Sequence, residues 1–281
     1  MSRSAPKRLG SAKSRLCLGL SHQAVAVCND QVNDVPTVLP VAEVSTHAIA
    51  QRMGQLISQH LNSVPAGSVV QVLIGSDISH LFLVTPYAGI RAFAELQTLA
   101  ALRFTQLYDE PSNGWTIQAD WKADAPFLAV ALPTEILNVL RQVCSSAKLK
   151  LRTVLPYCLR QWNLHAKTLP ASGSLSIFEP GHAIQLIWQT QKIVSVRGFS
   201  TSGVDPVSTA YTMLAREKIR LNLPDLPAYA TGLRIPSNTT AASKEDDYFH
   251  WMNQNAVNAK SSSVVAASEP AAWLAQQGVF E

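Results

Sequence analysis

The stretch that most constrains this chain is Ser174 to Phe199, SLSIFEPGHAIQLIWQTQKIVSVRGF, which reads as two or three consecutive strands. Leu175, Ile177 and Phe178 run into a Glu-Pro-Gly corner. Ile184, Leu186 and Trp188 then alternate with polar or thin residues, and Ile193, Val194 and Val196 resume after the polar turn Thr190 to Lys192. Leu16 to Cys28, LCLGLSHQAVAVC, repeats this order of strand, small polar corner and strand near the start of the chain. Matching His22 to His182 sets Gly19 opposite Glu179 and Ser21 opposite Gly181, an offset of 160 positions. Two similar hairpins opening two halves of one chain predict a two-lobed α/β protein.

Between the hairpins the pattern alternates. Thr37 to Val41 predicts a third strand, and Ser45 caps a helix with Ile49, Met53 and Leu56 on one stripe. Val69 to Ile74 and His80 to Val84 are strands joined by the turn-prone Gly75-Ser76-Asp77, and Ile90 to Tyr108 follows as a helix. Trp115 to Asp120 and Phe127 to Leu132 are again strands. Thr134 reads as the cap of a helix carrying Ile136, Leu137, Leu140 and Cys144, Leu149 to Leu155 is extended, and Pro156 opens a helix through His165. Leu169 to Gly173 is the interlobe linker. After the second hairpin, Asp205-Pro206 starts a helix through Lys218, and Ala228 to Ala230 is a last short strand.

The resulting domain scheme is a first lobe over 15–170 with an inserted subdomain over about 69–132, a second, reduced lobe over 173–236, and a flexible tail over 237–281. The tail follows from composition, since Ser, Thr, Ala and Asn dominate from Ser237 onward without a sustained period. Two apolar islands interrupt it, Tyr248 to Met252 and Trp273-Leu274, and either reads as a docking motif or as a short segment folding back onto the body.

Charge narrows the partners. The formal net charge is +4, and Arg3, Lys7, Arg8, Lys13 and Arg15 alone carry +5, so the remainder nets −1 and has no nucleic-acid footprint. Cys17, Cys28, Cys144 and Cys158 stand singly in apolar settings, which predicts reduced core thiols and a cytoplasmic location. No run approaches the ~18 apolar residues of a membrane span. There is no GxxxxGK[ST] loop, no HExxH, no nucleophile elbow and no paired Cys/His spacing. His22 and His182 mark the two hairpin corners, as polar corner residues or as the flanks of a shared cleft. Gly198 to Gly203, GFSTSG, precedes the Asp205 helix as either an anion-holding loop or a plain turn.

Phe127 to His165, FLAVALPTEILNVLRQVCSSAKLKLRTVLPYCLRQWNLH, carries a core strand, a helix, a turn at Ala147 to Lys150, a strand and a further helix. With Val69 to Tyr108 and the paired hairpins, this order resembles the actin-like superfamily, and within it the PilM proteins of type IV pilus systems and the GspL proteins of type II secretion. The resemblance covers the organisation of Leu16 to Gly232 and implies a two-lobed actin-like ATPase (ribonuclease H-like) fold with an inserted αβ subdomain. In actin-like ATPases two Asp-x-Gly corners approach the phosphates and their Mg²⁺, whose hard cation needs oxygen ligands. Here the first corner reads Gly19-Leu20-Ser21, with Ala26 where PilM-like sequences carry a Lys, whereas the second keeps Glu179-Pro180-Gly181. Pro180 removes one N–H donor. Tyr229-Ala230-Thr231-Gly232 is at best a remnant of the family's Gly-rich adenosine loop.

The resemblance therefore implies a degenerate ATPase acting as a cytoplasmic, non-catalytic scaffold, recruited peripherally to the inner membrane by the cytoplasmic segment of a single-pass partner. Homodimerisation is compatible with it. No cofactor is expected in working order; ATP and Mg²⁺ belong to the alternative, a nucleotide-binding actin-like ATPase, and would meet Ser21, His22, Glu179 and Gly181. On the inserted subdomain, Arg91 and Tyr108 are the expected partner contacts, Tyr108 as a surface anchor, while helical spacing places Phe93 and Phe104 in the core.

Overall fold

The computed structural model describes residues 15–29, 36–41, 45–60, 64–233, 249–252, 271 and 274. Arg3, Lys7, Arg8 and Lys13 of the basic arm, Tyr248 and Trp273 lie outside them. In chain order the elements are β1 (Arg15–Leu20), β2 (Ala24–Asn29), β3 (Thr37–Pro40), α1 (Thr46–His60), β4 (Val69–Ile74), β5 (His80–Val84), α2 (Phe93–Tyr108), β6 (Trp115–Ala119), β7 (Phe127–Pro133), α3 (Thr134–Ser146) and β8 (Lys150–Pro156). Then follow α4 (Tyr157–His165), β9 (Gly173–Glu179), β10 (His182–Gln189), β11 (Lys192–Ser200), α5 (Pro206–Leu221), β12 (Ala228–Gly232) and β13 (His250–Trp251).

The repeat seen in the hairpins extends to whole sheets. One five-stranded sheet has the order β3-β2-β1-β4-β8 and the other β11-β10-β9-β12-β13. In both, the first three strands are antiparallel neighbours and the last two add in parallel. The central strands β1 and β9 are buried almost throughout, as strands covered on both faces must be.

Backbone pairing corrects the offset between the halves. Leu20 pairs with Ile74 and Phe178 with Gly232, so each member of the second pair stands 158 positions after its counterpart. The next amide agrees, since Gly75 N–H donates to Leu20 O and Leu233 N–H to Phe178 O, both at 2.9 Å. Ser21, whose N–H donates to Ala24 O at 3.0 Å, is therefore the counterpart of Glu179, and Gly19 is not. The expected 160 aligned the two corner histidines, but ladder hydrogen bonds and not residue likeness set the register.

Two helices cover one face of the first sheet. Ile49, Met53 and Leu56 of α1 and Ile136, Leu137 and Leu140 of α3 pack with Leu18, Leu20, Val25 and Val27. Each such side chain contributes roughly 1.5–3 kcal/mol on burial. The Ser45 hydroxyl accepts from Ala48 N–H at 3.1 Å, as a cap should. Thr134, by contrast, is the first residue of α3 with Pro133 at the cap, and its hydroxyl pairs with that of Thr116 at 3.0 Å. On the second sheet, α5 buries Val207, Ala210 and Leu214 against Phe178, Ala183 and Ile187. Its cap Asp205 accepts from the amides of Val207 and Ser208 at 3.3 and 2.9 Å.

Between β4 and β8 stands the three-stranded sheet β5-β7-β6 with α2 against it, built on Phe82, Val84, Leu96, Ala100, Phe104 and Phe127. The four cysteines are all buried, and none is in a disulfide. Among the described residues, no helix is long and apolar enough to cross a membrane.

The stretch expected to be a flexible tail differs where it is described. β13 pairs in parallel with β12, Met252 N–H donates to Ala230 O at 2.8 Å, and Phe249 is buried against Phe178. The polar composition around this island hid its cause: β12 leaves an open edge, and Phe249 has an apolar cluster to enter. Phe249→Ala is therefore expected to lower the unfolding free energy by about 3 kcal/mol, the usual cost of deleting a buried phenyl group. Denaturant titration checks this, and a loss below about 1 kcal/mol would mean the island adds little to the core.

Candidate functional site

The two hairpin corners face a shared third element, the turn Gly75–Ser79 that follows β4. Its Ser76 donates to Glu179 of the second corner twice, from the amide to Oε2 at 2.8 Å and from Oγ to Oε1 at 2.6 Å. Its Asp77 accepts the His22 amide of the first corner through Oδ2 at 2.7 Å. One tight turn thus ties both corners together. It closes on itself through Ile78 and Ser79 amides donating to Gly75 O, each at 3.2 Å. A Cβ at position 75 would sit 2.5 Å from Asp77 Oδ1, so a larger residue there would have to displace the carboxylate that holds the His22 amide.

Electrostatics at this seam are unusual. Glu179 is only 3 % exposed. Burial pushes its carboxyl up to about 7, helped by the charge of Asp77 and opposed by the two Ser76 hydrogen bonds. Burial also raises the neighbouring Cys158 thiol, with the Glu179 charge adding to it. Across the turn, burial lowers the pKa of His80, with His22 contributing the same way and Glu110 opposing.

Of the residues expected to line a phosphate site, Ser21 and Glu179 are buried, while His22 and Gly181 are partly exposed, as is the corner residue His182. The structure brings Glu179 and His22 to one turn, where the Glu179 carboxyl is bonded to Ser76 and the His22 amide to Asp77. Ser21 Oγ is engaged with the Ala24 amide at 3.2 Å. The GFSTSG stretch holds no anion cradle: β11 continues to Ser200, and Thr201 N–H donates to Gly181 O at 2.9 Å. Thr231 lies in a buried chain, donating to Gln161 Oε1 at 3.1 Å while its hydroxyl meets His165 Nε2 at 3.1 Å. Gly232 has φ +96° and packs so tightly on Phe178 that any Cβ would collide with that backbone.

On the three-stranded sheet, Tyr108 is not the surface anchor expected. Its ring stacks on His80 at 4.0 Å, its hydroxyl donates to Leu81 O at 3.3 Å, and burial pushes the phenol up to about 12. Arg91 is exposed, with its amide bonded to Glu95 Oε2 at 3.1 Å. Phe104 is core, but Phe93 is 55 % exposed, edge-on to Trp121 at 5.2 Å. Helical spacing places Phe93 in the core, but its ring meets Trp121 instead of the cluster that buries Ile90 and Leu96 on either side of it; Trp121 itself lies between Asp120 and Asp124 and carries no periodic signal in the sequence.

Two five-stranded sheets of identical order, each opened by a hairpin whose corner faces the other, define an actin-like ATPase fold. Among solved structures, the chain is similar to the PilM-PilN type IV pilus biogenesis complex, at 11% identity over 95% of this chain and 98% of that one, with a TM-score of 0.59. It is also similar to a Bacteroides thetaiotaomicron protein with actin-like ATPase fold and unknown function, at 9% identity over 89% and 95% of the two chains and a TM-score of 0.55. A further likeness, to the cytoplasmic domain of EpsL of the Vibrio cholerae type II secretion system, has 13% identity, covers 80% and 84%, and reaches a TM-score of 0.49. No family model matches the chain, and no curated protein is significantly similar to it in sequence.

Such a fold raises the question of ATP and Mg²⁺, and the corner residues here are already engaged with the turn 75–79. A hard cation needs free carboxylate oxygens. Both Glu179 oxygens accept from Ser76, and Ser21 supplies a hydroxyl where the other corner has an acid. Asp77 places a further carboxylate beside the corner amides that a phosphate would need.

The raised carboxyl gives a signed pH test. The fold favours protonated Glu179, so its contribution is full below about pH 4.5 and is lost as pH rises through about 7. Glu179→Gln keeps the shape without the titration. The melting temperature of this variant minus that of wild type should therefore climb between pH 4.5 and 7 and then level off. A difference that is flat across the range would reject the raised value.

Proposed function

We propose that this protein is a non-catalytic scaffold of a type IV pilus assembly or type II secretion platform, located in the cytoplasm and drawn to the inner membrane by a membrane-anchored partner's cytoplasmic segment. The observation that carries the non-catalytic part is the turn 75–79, whose Ser76 and Asp77 consume the corner groups that nucleotide chemistry would use. The likeness to PilM in complex with PilN supports the partner. Arg91 with the exposed Phe93 and the partly buried Trp121 offers the contact surface on the inserted subdomain, combining aromatic area with a positive edge. Tyr108 lies at the opposite end of α2, where its hydroxyl is bonded to β5.

Purified protein is expected to release no phosphate from ATP and Mg²⁺. Magnesium-dependent release that disappears in Glu179→Ala would instead favour an actin-like ATPase. Titration with cytoplasmic segments of single-pass proteins encoded nearby tests the scaffold. Phe93→Ala and Arg91→Glu should each weaken binding about tenfold, equivalent to ~1.4 kcal/mol, whereas Tyr108→Phe should leave it unchanged. Absence of binding by the folded wild type to any such segment would reject the scaffold reading.

A further inference from the structure

The face of β2 turned away from α1 and α3 carries Ala24, Ala26 and Cys28, and a residue from the far end of the chain, Ala271, packs into it with Val38. Three positions on, Leu274 is 1 % exposed and enters the apolar cluster at the seam. That cluster takes Leu73 and Leu81 from one side and Leu175, Ile177 and Ile184 from the other. The Leu274 Cδ1 atom lies 3.4 Å from where Gly75 would carry a Cβ, so it presses on the very turn that ties the corners together. Small residues make this approach feasible: a long or charged side chain at position 24, 26 or 75 would occupy the same space.

We propose that Ala271 and Leu274 form an intramolecular strap that holds the two five-stranded sheets closed over the Ser76–Glu179 contact, so that releasing this end of the chain opens the cleft. Neither residue contributes to the cluster beneath α1 and α3 or to the cluster beneath α5. Losing the strap therefore changes the angle between the sheets while each sheet keeps its own core.

The test uses the full chain with spin labels at Gln55→Cys on α1 and Thr212→Cys on α5, both exposed positions. The native cysteines among the described residues are buried and stay unlabelled. Electron–electron distance measurement should give one narrow distribution, shifted to longer distances and broadened by Leu274→Asp. Amide exchange at 75–79 and 178–181 should rise at least about tenfold in that variant, while the α1 and α3 amides stay protected. Unchanged distances in the folded variant would overturn the strap. Exchange rising equally in α1 and α3 would also overturn it, by showing that Leu274 is ordinary core. Should Leu274→Asp not fold, Leu274→Ala is judged by the same two readings.

Discussion

The contact between Ser76 and Glu179 joins residues 103 positions apart, and the arrangement of the two halves depends on it. A buried carboxyl must have its oxygens satisfied, because an unpaired buried acid costs far more than a hydrogen bond returns. Here both oxygens are satisfied by one residue on a turn rooted in the other sheet. That requirement fixes where the second corner can sit relative to the first. His22, tied to Asp77 of the same turn, makes the constraint two-sided.

The two sheets repeat one another in order and pairing while their corners differ. Strand order, pairing direction and the 158-position offset are properties of backbone ladders and tolerate change of side chains. The corners are where the halves part company: a serine engaged with its own hairpin stands in one, an acid held across the seam in the other. Ala26 belongs to the same difference, since a thin residue there leaves room for Ala271. A second ionic device lies away from the cleft. Burial works against the charge of Glu217, but hydrogen bonds from Arg220 and Ser195 and the charge of Arg197 hold it down to about 2, which locks α5 to β11.

Much of this architecture is legible in residue order, because strands and helices impose different periods on apolar side chains. The hairpins, the Ser45 and Asp205 caps and the α1 and α3 stripes all follow from local pattern. Position on a helix was harder to read than the helix itself. Phe93 and Phe104 share one apparent stripe, yet Phe104 is enclosed by the sheet while Phe93 meets solvent and the edge of Trp121. Tyr108 looked terminal in sequence and turned out to be covered by His80, which arrives from β5. The Phe249 island lay among polar residues, and nothing local announces that a parallel strand edge awaits it.

The sequence by itself determined the element order, the duplicated hairpins, the absence of an acid from the first corner and the presence of Glu179 in the second, because these depend on neighbours along the chain. Only the tertiary structure decided what Glu179 does. Whether a carboxyl meets a cation, water or a serine is settled by which distant backbone is delivered to it, and the turn 75–79 arrives through the pairing of β1 with β4. The same holds for Leu274 and Ala271, whose burial depends on small residues at 24, 26 and 75 that no local window contains.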